Sequence, residues 1–134
     1  MNVRFRSIPE TEASIGWAGG HTVVVDRPDG TAGGRGLGFN GGQLLALAIG
    51  GCLCNDLRYV GHEMKIRLSS VEVDVSVAFD GVPLLATGAE VKVGVGADAD
   101  GEQVRRLIAR ACDISAVSNS LRRGIPVEFP PTAS

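Results

Sequence analysis

The stretch AIGGCLCNDL, residues 48 to 57, sets two of the chain's three cysteines two positions apart inside an apolar run. A free thiol does its chemistry as a thiolate, attacking electrophilic oxygen or sulfur or ligating a soft metal. The run has helical spacing, and a helix turns about 100° per residue, so Cys52 and Cys54 point about 160° apart and cannot serve one site. Cys52 shares its face with Ala48, Ile49, Asp56 and Tyr59, while Cys54 lies with Leu47, Gly50, Arg58 and Gly61. Each needs a partner from elsewhere, and the remaining thiol is Cys112. A cysteine that is to react at neutral pH needs a cation or donor beside it. Asp56, one turn after Cys52, opposes thiolate formation and reads first as a structural carboxylate that must find a donor. Together with His21 and His62 the cysteines supply ligand types for zinc, but a helical Cys-x-Cys diverges, and no metal is expected.

The element that must carry Cys52 is a helix from Gln43 to about Met64, apolar on most of its circumference in its first half and therefore expected to be buried. Gly50 and Gly51 in its middle cost about 1 kcal/mol each relative to alanine, so a close approach of backbone, ligand or partner helix is expected there. Before the helix, VRFRSI at 3 to 8, SIGWAGG and HTVVVDR read as short strands, the last stopped by Pro28-Asp29-Gly30. A glycine-rich loop then crosses to the helix. After the helix, SSVEVDVSVAF alternates valine with polar residues, TGAEVKVGVGA repeats the pattern, and DGVPLLA joins them as a hairpin. A second helix runs from about Gly101 to Ala111 with Asp98 or Asp100 as its N-cap. Following a break near Asp113, SAVSNSLRRG forms a short helix ended by Gly124, IPVEF a final strand, and PPTAS a loose tail. Strands, one long helix, a hairpin, two short helices and a strand make an α+β fold, expected as a single domain over 1–134.

Composition narrows the function. Thirteen basic against fifteen acidic residues leave a net charge of −2, with the basic residues scattered, so nucleic acid is not an expected partner. The N-terminus lacks the apolar core of a secretory signal, and no segment reads as a membrane span; a cytoplasmic location is expected. Three cysteines are a poor framework for structural disulfides, which leaves them as buried apolar groups or working thiols.

Two longer motifs carry a resemblance. NGGQLLALAIGGCLCNDL is similar to the Asn-Pro-Glu-x-Leu-Leu run that leads to a helix cysteine in the OsmC/Ohr (osmotically inducible protein C / organic hydroperoxide resistance) family, and CDISAVSNSLRRGIPVEF resembles that family's Cys-Pro-x-Ser-Asn segment before the last strand. With the valine hairpin between them, the resemblance covers nearly the whole chain. It implies an intertwined homodimer with sites at the subunit interface. It also implies a thiol peroxidase for organic hydroperoxides: a helix cysteine becomes a sulfenic acid, a second cysteine closes a disulfide, and a dithiol reductant resets the pair. No cofactor is implied.

Carried over position by position, the attacking cysteine falls on Cys52. The family's glutamate falls on Gly42 and its arginine on His21, so neither the carboxylate nor the permanent cation is present at those positions. His21, Arg27 and Arg35 are the candidates to supply the missing positive charge. The second cysteine is Cys112 if CDIS matches Cys-Pro-x-Ser; if SAVSNSL matches instead, its position is Ser115 and Cys112 sits one turn earlier. The alternative implied by the missing pair is a non-peroxidatic relative that binds a small apolar ligand or thiol in the interface cleft, with Gly42 and Asp56 lining it.

Overall fold

The computed structural model describes residues 1–132; the last two residues of the expected tail lie outside them. The chain divides into two compact units, Met1–Leu47 and a second that begins at Ala48.

In the first unit, β1 (Arg4–Ser7), β2 (Ser14–Ala18) and β3 (His21–Val25) form an antiparallel three-stranded sheet in the order β1-β2-β3. Gly19 at a φ of 60° makes the β2–β3 hairpin turn, with Ala18 paired to His21. Gly16 on β2 faces Phe5 on β1 across the pair, and the phenyl ring occupies the space a Cβ there would need.

Helix α1 (Gly41–Glu63) begins two residues before the expected Gln43, and for an identifiable reason. The Asn40 side chain accepts from the Gln43 N–H at 2.9 Å while the Gln43 side chain accepts from the Asn40 N–H at 2.9 Å, a reciprocal cap. The unit boundary falls inside this helix, after Leu47.

In the second unit, α1 packs on a long hairpin of β4 (Leu68–Asp80) and β5 (Leu85–Ala97). The valines alternate as predicted: Val71, Val73, Val75 and Val77 stand half-buried on one face, while Glu72, Asp74 and Ser76 are exposed. Gly50 is the contact point. A Cβ there would lie 3.1 Å from Val75, so this glycine lets the helix backbone approach the sheet, whereas Gly51 faces open space. Helix α2 (Gly101–Ile114) starts at an Asp100–Gln103 capping box, and α3 (Ala116–Arg123) ends at Gly124 with φ 70°. Leu53, Leu57, Val60, Ile66, Leu68, Leu107 and Ala111 form the core of this unit.

Two expectations need correction. The long helix is covered on one stripe only: Ile49, Gly50, Leu53, Leu57, Val60 and Gly61 are buried, but Leu47 and Tyr59 stand 51% and 70% exposed. Its apolar circumference reaches a mean hydropathy of 1.2 over an 18-residue window, a length and composition that the core helix of a folded domain shares with a membrane span. The expected final strand is not one within the chain. Ile125, Val127 and Phe129 are 61%, 69% and 91% exposed, and the segment pairs with none of the open sheet edges among the described residues.

Candidate functional site

The helix that carries Cys52 also carries its nearest polar partner. Four residues on, Asp56 lies on the same face, and the Cys52 thiol donates to Asp56 Oδ2 at 3.5 Å in a part-buried setting. The carboxylate therefore finds its donor in the thiol itself. All three cysteines are free and none is fully buried. Cys54 faces away from this pair, as the helical angle requires.

Cys112 stands in the last turn of α2 and packs against the core cluster that includes Leu53 of α1. Burial pushes its thiol above the ordinary range and Asp113 adds to the rise, while Arg122 partly offsets both. One turn later Ser115 is completely buried at the α2–α3 junction, where its backbone oxygen accepts from Asn119 at 2.9 Å but its hydroxyl has no partner among the described residues. Both alternatives for the second position thus lie in one turn of chain, one a thiol held protonated and the other a dry hydroxyl.

The remaining predicted residues belong to the first unit. His21 is exposed at the start of β3, and Gly42 is the second residue of α1. Arg27 and Arg35 are gathered by a residue that sequence reasoning passed over, Asp26. The side chain of Asp26 is 2% exposed; Oδ1 accepts from the Arg27 N–H at 2.8 Å and its guanidinium at 3.1 Å, and Oδ2 accepts from the N–H groups of Arg35 at 3.0 Å and Leu37 at 3.1 Å. One carboxylate thereby fixes both ends of the glycine-rich loop. Arg27 also donates to the Glu12 carbonyl at 2.8 Å, so its cation is held by Asp26 and the Glu12 backbone. The signal that could have found Asp26 is an acidic residue closing an apolar strand just before a run of turn residues, where unpaired N–H groups collect.

Those N–H donors hold the Asp26 carboxyl below its ordinary value of 3.8, Leu37 first and Arg35 next; burial opposes them, and Arg27 helps through its N–H and its charge. A carboxyl depressed in the fold stabilises it above the unfolded value, and this contribution is lost as pH falls below about 3.8 through the folded value. Asp26→Asn should lose that dependence. Thermal unfolding of the variant should vary less than wild type between about pH 5 and about pH 2, with faster amide exchange at Arg35 and Leu37 at neutral pH. Matching profiles would mean that the loop is held by something else.

Among the described residues no three His, Cys, Asp or Glu side chains converge as a metal set. The chemistry on hand is a thiol with a carboxylate acceptor and a second thiol in the same unit.

The chain matches the family model for OsmC-like proteins over residues 33–129. No curated protein matches it. Among solved structures it is similar to an OsmC-like protein from Mycoplasma pneumoniae, 11% identical with a TM-score of 0.75 over 90% of this chain and 86% of that one. It is also similar to an organic hydroperoxide resistance protein from Legionella pneumophila, 22% identical with a TM-score of 0.60 over 90% and 88%. A third, an organic hydroperoxide resistance protein from Elizabethkingia anophelis with thiocyanate bound, is 20% identical with a TM-score of 0.65 over 91% and 87%.

Proposed function

The chain belongs to the OsmC-like protein family, and on that premise we propose that it is a thiol-dependent peroxidase for organic hydroperoxides in oxidative-stress defence, with Cys52 as nucleophile. The observation that carries this reading is the 3.5 Å contact between the Cys52 thiol and Asp56. It gives the reaction a proton acceptor at a position the family motif does not use. Support also comes from fold neighbours that bear the name of organic hydroperoxide resistance.

The steps balance without a cofactor. Cys52 sulfur attacks the outer oxygen of the hydroperoxide as its proton passes to Asp56; the O–O bond breaks, and the departing alkoxide takes the proton back as an alcohol. Cys52 is left as a sulfenic acid. Cys112 then displaces hydroxide from that sulfur, closing a disulfide and releasing water, and a dithiol reductant restores both thiols. Because burial keeps the Cys112 thiol protonated, this second step should accelerate with pH through the weakly alkaline range. The working form in this reading is a cytoplasmic homodimer of one-domain chains, in which the partner covers the free face of α1 and pairs with Ile125 to Phe129.

The second reading, a non-peroxidatic relative that binds a small apolar ligand or thiol, draws on Gly42 and His21 at the family's glutamate and arginine positions and on Arg27 being held by Asp26. Peptide mass mapping under non-reducing conditions, after one equivalent of an organic hydroperoxide, separates the two. A Cys52–Cys112 disulfide is the expected product; unchanged thiols would leave the binding reading in its place.

A further inference from the structure

The end of α1 carries a feature unrelated to either thiol. A cleft of about 400 Å³ opens between the last turns of the helix and the start of β4, lined by Arg58, Gly61, His62, Lys65, Ile66, Arg67 and Leu68. Three cationic side chains and a histidine ring this space, and among the described residues no acidic one lines it. Among the described residues none of these four basic side chains is in an ion pair, although the chain as a whole is acidic with a net charge of −2. Glu63, the nearest acid in sequence, is paired instead with Arg110.

Basic residues at a helix C-terminus complement its dipole, and that accounts for His62. It does not account for the other three. Arg58 sits inside the helix, and its Nη1 donates to the Leu68 carbonyl at 2.8 Å, which fixes the guanidinium on the wall of the cleft with its other donors unassigned. Arg67 lies beyond the helix, next to β4. Lys65 is the most informative. The helix closes with the Ile66 N–H donating to Gly61 O at 2.9 Å and the Lys65 N–H donating to His62 O at 3.2 Å, a terminal motif whose left-handed position normally belongs to glycine. Here lysine occupies it at a φ of 56°. Glycine would hold that backbone without strain; lysine adds strain and one cation directed by the turn.

We propose that this cleft binds a phosphate group carried on an apolar stem. Two guanidiniums and an ammonium suit a dianionic oxyanion with several acceptor atoms, whereas the volume exceeds what a bare phosphate fills. Gly61, Ile66 and Leu68 supply an apolar wall for the stem.

Lys65→Gly makes the test specific, because it removes a cation while relieving the backbone; its melting temperature should equal or exceed that of wild type. The probes are octyl phosphate, inorganic phosphate and the uncharged octyl glucoside, titrated calorimetrically at low salt. Octyl phosphate should bind wild type, about fivefold more weakly to Lys65→Gly and about twentyfold more weakly to the double variant with Arg67→Gln, and raised salt should weaken it further. Octyl glucoside should bind at least about tenfold more weakly than octyl phosphate. No binding of octyl phosphate, equal affinity in all three proteins, or equal affinity for octyl glucoside would each overturn the site. Inorganic phosphate binding as tightly as octyl phosphate would overturn the stem and leave a free phosphate as the ligand.

Discussion

Cys52→Ser is expected to abolish hydroperoxide-dependent oxidation of a dithiol, a loss on the order of 10³-fold or more, the scale on which deletion of a nucleophile is felt. Serine keeps the size of the side chain and a donor for Asp56, so the fold should be retained, and a melting temperature close to wild type is the control. The paired variant is Asp56→Asn, which keeps the shape and removes both the charge and the proton acceptor. Loss of the charge favours the thiolate, so Cys52 should alkylate faster with iodoacetamide. Loss of the acceptor removes a contribution that is typically about 10²-fold or larger, so peroxide turnover should fall. Opposite movement of the two rates is what a proton acceptor requires. If both rise, Asp56 only restrains the thiol; if Cys52→Ser retains turnover, another residue is the nucleophile.

That pair was half legible from sequence, and the reason is instructive. Helical spacing alone puts Asp56 on the face of Cys52, but it does not say whether a carboxylate will take its hydrogen bond from the thiol, a backbone amide or an arginine. The choice depends on which donors the rest of the fold leaves within reach. Periodicity was a sound guide where an element's environment is supplied by its own chain, as for the valine hairpin and the Gly50 contact with Val75. The Asp100 cap, too, is written in local residues. It failed where the chain leaves an apolar element uncovered. The first half of α1 has the composition of a surrounded helix, yet Leu47 is exposed, and Ile125 to Phe129 has the alternation of a strand yet pairs with none. Asp26 was missed for a different reason: its three N–H donors come from positions 27, 35 and 37, and only a folded glycine-rich loop brings them together.

Leu107→Ala should have the largest effect on stability and should reach Cys112 as well. Leu107 is fully buried on α2 in the cluster that holds Leu57 and Val60 of α1, so truncation removes a whole side chain's burial and leaves a cavity. The expected cost is about 3–5 kcal/mol. For a chain of this length that lowers the melting temperature by about 10–20 °C. Leu121→Ala, at a position 43% exposed on α3, is the matched control and should shift it by no more than a few degrees. The same cluster packs against Cys112, whose thiol is raised first by burial and then by Asp113. A cavity that admits water weakens the larger cause, so Cys112 in Leu107→Ala should alkylate faster than wild type at a fixed pH well below unfolding. If stability falls while that rate stays put, the charge of Asp113 is the dominant influence, and Asp113→Asn becomes the variant that accelerates the thiol.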